Sequence, residues 1–319
     1  MIMKNRSTHT TRLVSLMQLI GLSILLALSS CKEKKEGNSS NGKLKIVTTT
    51  GMIKDAVTHV AGDRVDVVAL MGPGVDPHLY KATQGDLGKL TDADIVFYNG
   101  LHLEGKMGEV FEKLALQKTV VAVSASIEDT LLRAVPGFQG AHDPHIWFDV
   151  KLWENAVRQV SKTLQANDSA NAAYYSINEK KYIAQLDSLD DAVRKHLQDV
   201  PAAQRVLITA HDAFGYYGDA YQVEVRGLQG ISTMSEFGLK DVTDLVNFII
   251  TKKIKAIFVE TSVSQKSIEA VVEGCKQKGW NVKIGGSLYS DAMGAEGTPD
   301  GTYIGMVNAN TNTIVNALK

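Results

Sequence analysis

Short β-branched runs alternate with amphipathic helical patterns along most of the chain. Lys45-Ile46-Val47-Thr48-Thr49-Thr50 predicts a strand ending at Gly51, and Met52–Val60 then follows helical spacing. Val65–Leu70 predicts a second strand, closed by Gly72-Pro73-Gly74. Gln84–Leu90 is expected to be a helix, Ala93–Tyr98 a buried strand ended by Asn99-Gly100, Met107–Leu116 a helix and Val120–Val123 a fourth strand. Trp153–Leu164, and then Asn171 to about Gln198, carry longer polar–apolar patterns without an internal proline or glycine. In the second, Tyr174, Ile177, Tyr182, Leu186, Leu189, Val193 and Leu197 recur at helical intervals, so an apolar stripe is expected along about 40 Å of helix. Pro201 supplies the stop signal.

The second half repeats the rhythm. Arg205–Ala210 predicts a strand with His211 at its carboxyl end, and Gln222–Gly227 another. Val242–Thr251 reads as a helix, Ala256–Glu260 as a strand, Ser267–Lys278 as a helix, Asn281–Ile284 as a strand and Tyr303–Leu318 as a closing helix. Strands alternating with helices imply mainly parallel sheets covered on both faces. The expected fold is therefore α/β, with two (β/α) lobes at 44–165 and 201–319 joined by a long rigid spine helix within 166–200. Ligands of such sheets bind beyond the carboxyl ends of the strands.

The ends of the chain and its charge narrow the setting. Lys4, Arg6 and Arg12 precede an apolar run from Leu13 to Leu28 that closes in Leu28-Ser29-Ser30-Cys31. That run of about 16 residues is short for a membrane span. Small residues before a cysteine resemble a bacterial lipoprotein signal, which makes 1–31 a leader and Cys31 the acylated first mature residue. Residues 32–43 lack apolar side chains and read as a flexible tether. Loss of the leader lowers 34 basic residues to 31 against 35 acidic ones, a balance that gives no electrostatic footprint for nucleic acid. With Cys31 carrying lipid, Cys275 has no partner, so no disulfide is expected, and its helical context predicts an inert buried thiol.

Four short stretches carry the chemistry: Asp76-Pro77-His78, Asp143-Pro144-His145-Ile146-Trp147, Ala210-His211-Asp212-Ala213-Phe214-Gly215 and Leu288-Tyr289-Ser290-Asp291-Ala292-Met293-Gly294. Proline restricts both its own φ and the residue before it, so the repeated Asp-Pro-His presents two histidines from stiff loops. Three imidazoles and a carboxylate suit Zn²⁺, and with a bidentate carboxylate also Mn²⁺ or Fe²⁺. His78, His145, His211 and Asp291 are thus the candidate metal ligands, two from each lobe, with the site in the cleft between them. His9 falls in the leader, His59 on the polar face of a helix, and His196 near the end of the spine; His102 suits loop packing better than ligation. His142 is an alternative to His145, which is favoured because proline stiffens it and Ile146-Trp147-Phe148 anchors it. Asp76, Asp143 and Asp212 are the local candidates to accept a hydrogen bond from each histidine's other ring nitrogen.

Asp-Pro-His-Ile-Trp, Ala-His-Asp-Ala-Phe-Gly-Tyr, Gly-Leu-Gln-Gly-Ile-Ser-Thr (227–233) and Leu-Tyr-Ser-Asp-Ala-Met-Gly resemble motifs of the cluster A-I metal-binding lipoproteins of bacterial ABC importers, in order across 44–319. The resemblance implies two lobes on one rigid helix, one Zn²⁺ or Mn²⁺ per chain at their interface, and delivery to a membrane permease by an extracytoplasmic, lipid-anchored monomer with no enzymatic activity. By position the implied ligands are again His78, His145, His211 and Asp291. Members with glutamate at the third position are usually associated with manganese, and strongly zinc-selective members often carry a His/Asp-rich loop before the second ligand. Here that position holds His211, and the segment Val135–Asp143 is short, which leaves the metal open. Two rival expectations stand beside this one. A zinc hydrolase would need an open coordination position and a base, for which Glu236 or Glu260 would serve, but no His-Glu-x-x-His is present. An adhesin or structural lipoprotein would use the metal only to hold its fold.

Overall fold

The computed structural model describes residues 42–135 and 140–319. The leader, His9, Cys31 and all but the end of the tether lie outside the described residues, as does part of the segment before Asp143. Lys43–Lys319 forms one compact unit.

In the first half, β1 (Leu44–Thr48), β2 (Val65–Ala69), β3 (Ile95–Tyr98) and β4 (Thr119–Ala122) pair in parallel in the order β2-β1-β3-β4. Successive side chains of a strand leave opposite faces, and both faces are buried here. Ile46, Ile95 and Phe97 enter one core, Val47 and Val96 another. That is why these strands read as continuous apolar runs. Helices α1 (Gly51–Ala61), α2 (Gln84–Asp92), α3 (Gly108–Ala115) and α4 (Val150–Asn167) complete this half. Each matches an expected pattern to within a few residues.

The spine is α5 (Ala172–Leu197), about 39 Å of continuous helix. It packs against α1 and α4 of the first half and against α9 (Tyr303–Leu318) of the second. Its buried stripe runs through Tyr175, Tyr182, Leu186, Leu189, Val193 and Leu197. Ile177, expected in that stripe, is instead 66% exposed. Seven residues back from Tyr182, two helical turns, lies Tyr175 rather than Ile177. Polar pins reinforce the packing on both sides. Tyr182 Oη donates to Asp55 Oδ2 of α1 at 2.8 Å, and Tyr221 Oη donates to Asp190 Oδ1 at 2.9 Å.

The second half contains β5 (Val206–His211), β6 (Glu224–Gln229), β7 (Ala256–Glu260) and β8 (Lys283–Leu288), with helices α6 (Gly215–Tyr221), α7 (Leu239–Lys252) and α8 (Lys266–Gln277). The strands form two parallel two-stranded ladders, β5-β6 and β7-β8, with β5 and β7 side by side. Helix α6 was not expected from the sequence. Gln222, its C-cap, has a left-handed φ of 58°, so β6 starts at Glu224, two residues later than expected. Strand β8 also runs later than expected, from Lys283. Its Gly285-Gly286 pair interrupts the apolar pattern, and its register against β7 shifts at Ile257/Phe258. Cys275 is buried in the core of this half as a free thiol, and burial raises its pKa.

Candidate metal centre

Three of the four candidate ligands sit at or beyond the carboxyl end of a strand, and the fourth, His145, comes from the loop before α4. His78 lies in the loop after β2, His145 directly before the turn Ile146–Phe148, His211 at the last position of β5, and Asp291 three residues past β8. All four side chains are buried, and one donor atom from each lies within 4.8 Å of every other.

The stiff loops hold their histidines by the predicted geometry in one case and by a variant of it in the others. Asp143 Oδ1 accepts both the backbone N–H of His145 at 2.9 Å and its Nδ1–H at 2.7 Å. A carboxylate can only accept, so Nδ1 carries a proton and Nε2 is the nitrogen turned toward the other donors. Around this loop, Asn99 Nδ2 donates to Pro144 O at 2.9 Å, and Trp147 Nε1 donates to Ser290 O at 2.9 Å. The latter bond ties the second loop to the one that carries Asp291.

For His211 the orienting carboxylate is not the neighbouring Asp212. Glu260, at the end of β7, accepts the His211 backbone N–H through Oε1 at 2.9 Å and faces Nδ1 through Oε2 at 2.5 Å. Its only signal in the sequence is a charge closing the apolar strand Ala256–Glu260. Asp76 likewise departs from expectation: its Oδ1 accepts the backbone N–H of His78 at 2.9 Å and contacts no ring nitrogen. His142, the alternative second ligand, is outside the cluster, with Nε2 3.9 Å from Asp129. His102 is exposed in a turn with φ 63°, and His59 stacks on Tyr182 at 4.0 Å rather than facing solvent alone.

The facing donor atoms are spaced for a small cation. His78 Nε2 and His145 Nε2 are 3.3 Å apart, His145 Nε2 and Asp291 Oδ1 3.4 Å, and His211 Nε2 and Asp291 Oδ2 3.3 Å. A tetrahedron with metal–ligand bonds of about 2.1 Å has edges of about 3.4 Å. Both Asp291 oxygens and His211 Nε2 are buried without a protein hydrogen bond. Buried polar atoms are rarely left so unless an ion or water satisfies them.

The electrostatics fit a cation exchanger. Burial pushes His145 down, but the Asp143 charge and hydrogen bond, together with Asp291, raise it to about 9. Burial opposes the charged form of His211 too, and Asp291 and Glu260 outweigh it, raising its pKa well above the ordinary value. His78 has no such carboxylate on its ring and is lowered by burial to about 4. Burial would raise the Asp291 carboxyl, yet the His211 charge and the close approach of the His145 and His211 rings, at 3.4 and 3.3 Å, hold it well below the usual range.

Comparison with known proteins identifies the family of the chain. Residues 46–317 match the model of the zinc-uptake complex component A, periplasmic (ZnuA) family. The chain belongs to this family. Among its ZnuA-family relatives, the manganese-binding lipoprotein MntA of Bacillus subtilis is 49% identical over 92% of this chain and 95% of its own. The zinc-binding protein TroA of Treponema pallidum is 49% identical over 88% of this chain and 90% of its own. The solved structure of periplasmic TroA superposes with a TM-score of 0.85, covering 86% of this chain and 99% of that one. ZnuA-family membership thus accounts for the α/β architecture and the long helix between the two sets of strands.

Proposed function

We propose that this chain is the extracytoplasmic binding component of an ABC importer, holding one Zn²⁺ or Mn²⁺ with His78, His145, His211 and Asp291 and passing it to a membrane permease. The observation that carries this reading is the convergence of four buried donors from four stretches far apart in sequence on one point. Support also comes from relatives whose names give manganese in one case and zinc in another. The two Asp291 oxygens face different histidines, so the carboxylate can bind through one oxygen or both. One mode gives the four-coordinate site zinc favours, the other the higher coordination manganese accepts.

Hydrolysis is not part of this reading. Glu260, the base a hydrolase would need, is occupied on both oxygens by His211. Glu236 lies in the loop before α7 and is not part of the donor cluster. The chain acts as a monomer with lobes at 44–165 and 201–319, tethered to a bacterial membrane through acylated Cys31. No helix among the described residues is long and apolar enough to cross a membrane. Ion exchange proceeds by loop movement and slight tilting, because α5 packs against both halves and resists wide hinge bending.

Competitive titration of the chain with Zn²⁺ and Mn²⁺, in wild type and His211→Ala, tests the proposal. One tight equivalent that is lost in the variant supports it and ranks the metals. An absence of stoichiometric binding would overturn the site.

A further inference from the structure

The stretch Gly227–Thr233 supplies no donor to the metal cluster, yet it spans from one ligand to another. At its start, β6 runs beside β5 with Gln229 opposite His211, and Gly230 O accepts the N–H of Asp212 at 3.3 Å. Gly227 permits this approach, since a Cβ there would collide with the His211–Asp212 backbone. At its end, Thr233 Oγ1 donates to Asp76 Oδ2 at 2.6 Å, while Asp76 Oδ1 accepts the N–H of His78. Between the two ends the loop is braced on itself. Ser235 N–H donates to Ser232 O at 2.9 Å and Gln229 Nε2 to Ser235 O at 3.0 Å. A single carboxylate therefore joins a hydroxyl of the second half to the backbone of a ligand in the first.

His78 is the ligand that depends on such a link. His145 and His211 each have a carboxylate on Nδ1, whereas among the described residues the His78 ring meets only other imidazoles, His145 through Nε2 at 3.3 Å and His211 edge-on at 5.9 Å. Its position is set through its backbone, and hence through Asp76. Pro77 keeps the two residues in stiff relation, so a pull on the Asp76 carboxylate is transmitted to the imidazole.

We propose that Thr233 is a positioning residue that latches the cleft. Its bond to Asp76 holds His78 in place over the ion, and breaking that bond is the step that frees the ion from the first half. The inference rests on the metal-carrier reading and adds a residue that touches no metal. A hydrogen bond to a carboxylate is stronger than a neutral one, and loss of a retaining contact shows mainly in the dissociation rate.

The test compares wild type, Thr233→Val and Thr233→Ser as full chains in detergent. Zinc release into excess chelator is followed by stopped flow, alongside the zinc capture rate. Valine keeps the shape and removes the hydroxyl, so release should quicken roughly tenfold with capture little changed, and serine should restore the wild-type rate. Wild-type release from Thr233→Val would overturn the latch. So would serine behaving as valine does, since shape rather than the hydroxyl would then be the cause. A second measurement needs no metal: amide hydrogen exchange at His78 should quicken in Thr233→Val and not in Thr233→Ser, and equal exchange in all three overturns the latch. Failure of the wild type to bind zinc would overturn the carrier reading instead, and the exchange data would still decide the latch.

Discussion

Binding of one divalent ion at neutral pH should displace two protons. In the ion-free protein, His145 lies between Asp143, 2.7 Å from Nδ1, and Asp291, 3.4 Å from Nε2. His211 lies between Glu260 at 2.5 Å and Asp291 at 3.3 Å. With His145 raised to about 9 and His211 well above its ordinary value, both rings are imidazolium at pH 7, while His78, lowered to about 4, is neutral. A metal needs Nε2 of each ring, so two protons leave as two positive charges arrive. The buried cluster of Asp143, Glu260 and Asp291 then sees the same total charge before and after exchange. Because the free state holds the protons and the bound state does not, affinity rises with pH, by about a hundredfold per unit between pH 6 and 7. Calorimetric titration in buffers of different ionisation enthalpy counts the protons directly. Glu260→Gln, which withdraws one carboxylate from His211, should lower the count toward one. A count of zero, or an affinity unchanged between pH 6 and 7, would refute the charge-exchange account.

Three further outcomes follow from the same geometry. Asp291→Asn removes the only anionic donor and should weaken zinc binding by at least about a hundredfold in a competition assay, beyond the roughly 10–100-fold typical of losing a ligand's orienting partner; unchanged affinity would remove Asp291 from the site. Metal-free protein should lose thermal stability as pH rises from 6.5 toward 9, because the raised His145 pKa stabilises the fold fully below 6.5 and that contribution vanishes through about 9; calorimetric melting across that range checks it, and a rise would contradict the sign. Solution scattering of metal-free and zinc-loaded protein should nearly superimpose, given a spine that packs against both halves; a large closure would refute the rigidity assigned to α5.

The four side chains that converge in the structure were legible because their signals are local. A proline between an aspartate and a histidine stiffens the loop wherever the fold carries it, and the tripeptide occurs twice. The spine was legible because its stripe persists over 26 residues, although the choice between Tyr175 and Ile177 turned on one step of phase. What escaped was non-local. Glu260 reaches His211 because β7 lies beside β5, and nothing near His211 in sequence announces it. Thr233 reaches Asp76 across a separation of 157 residues. Helix α6 escaped for a different reason: Gly215 and Gly218 are poor helix formers, and Tyr216, Tyr217 and Tyr221 are all buried, so no polar face marks the period.

X-ray absorption at the zinc edge, on the chain loaded with one equivalent, tests most directly whether these four side chains form one centre. Three imidazole nitrogens at about 2.0–2.1 Å with carboxylate oxygen in the same shell are the predicted result, falling to two imidazoles in His211→Ala. An all-oxygen shell, a sulfur ligand, or a spectrum unchanged by that substitution would contradict it.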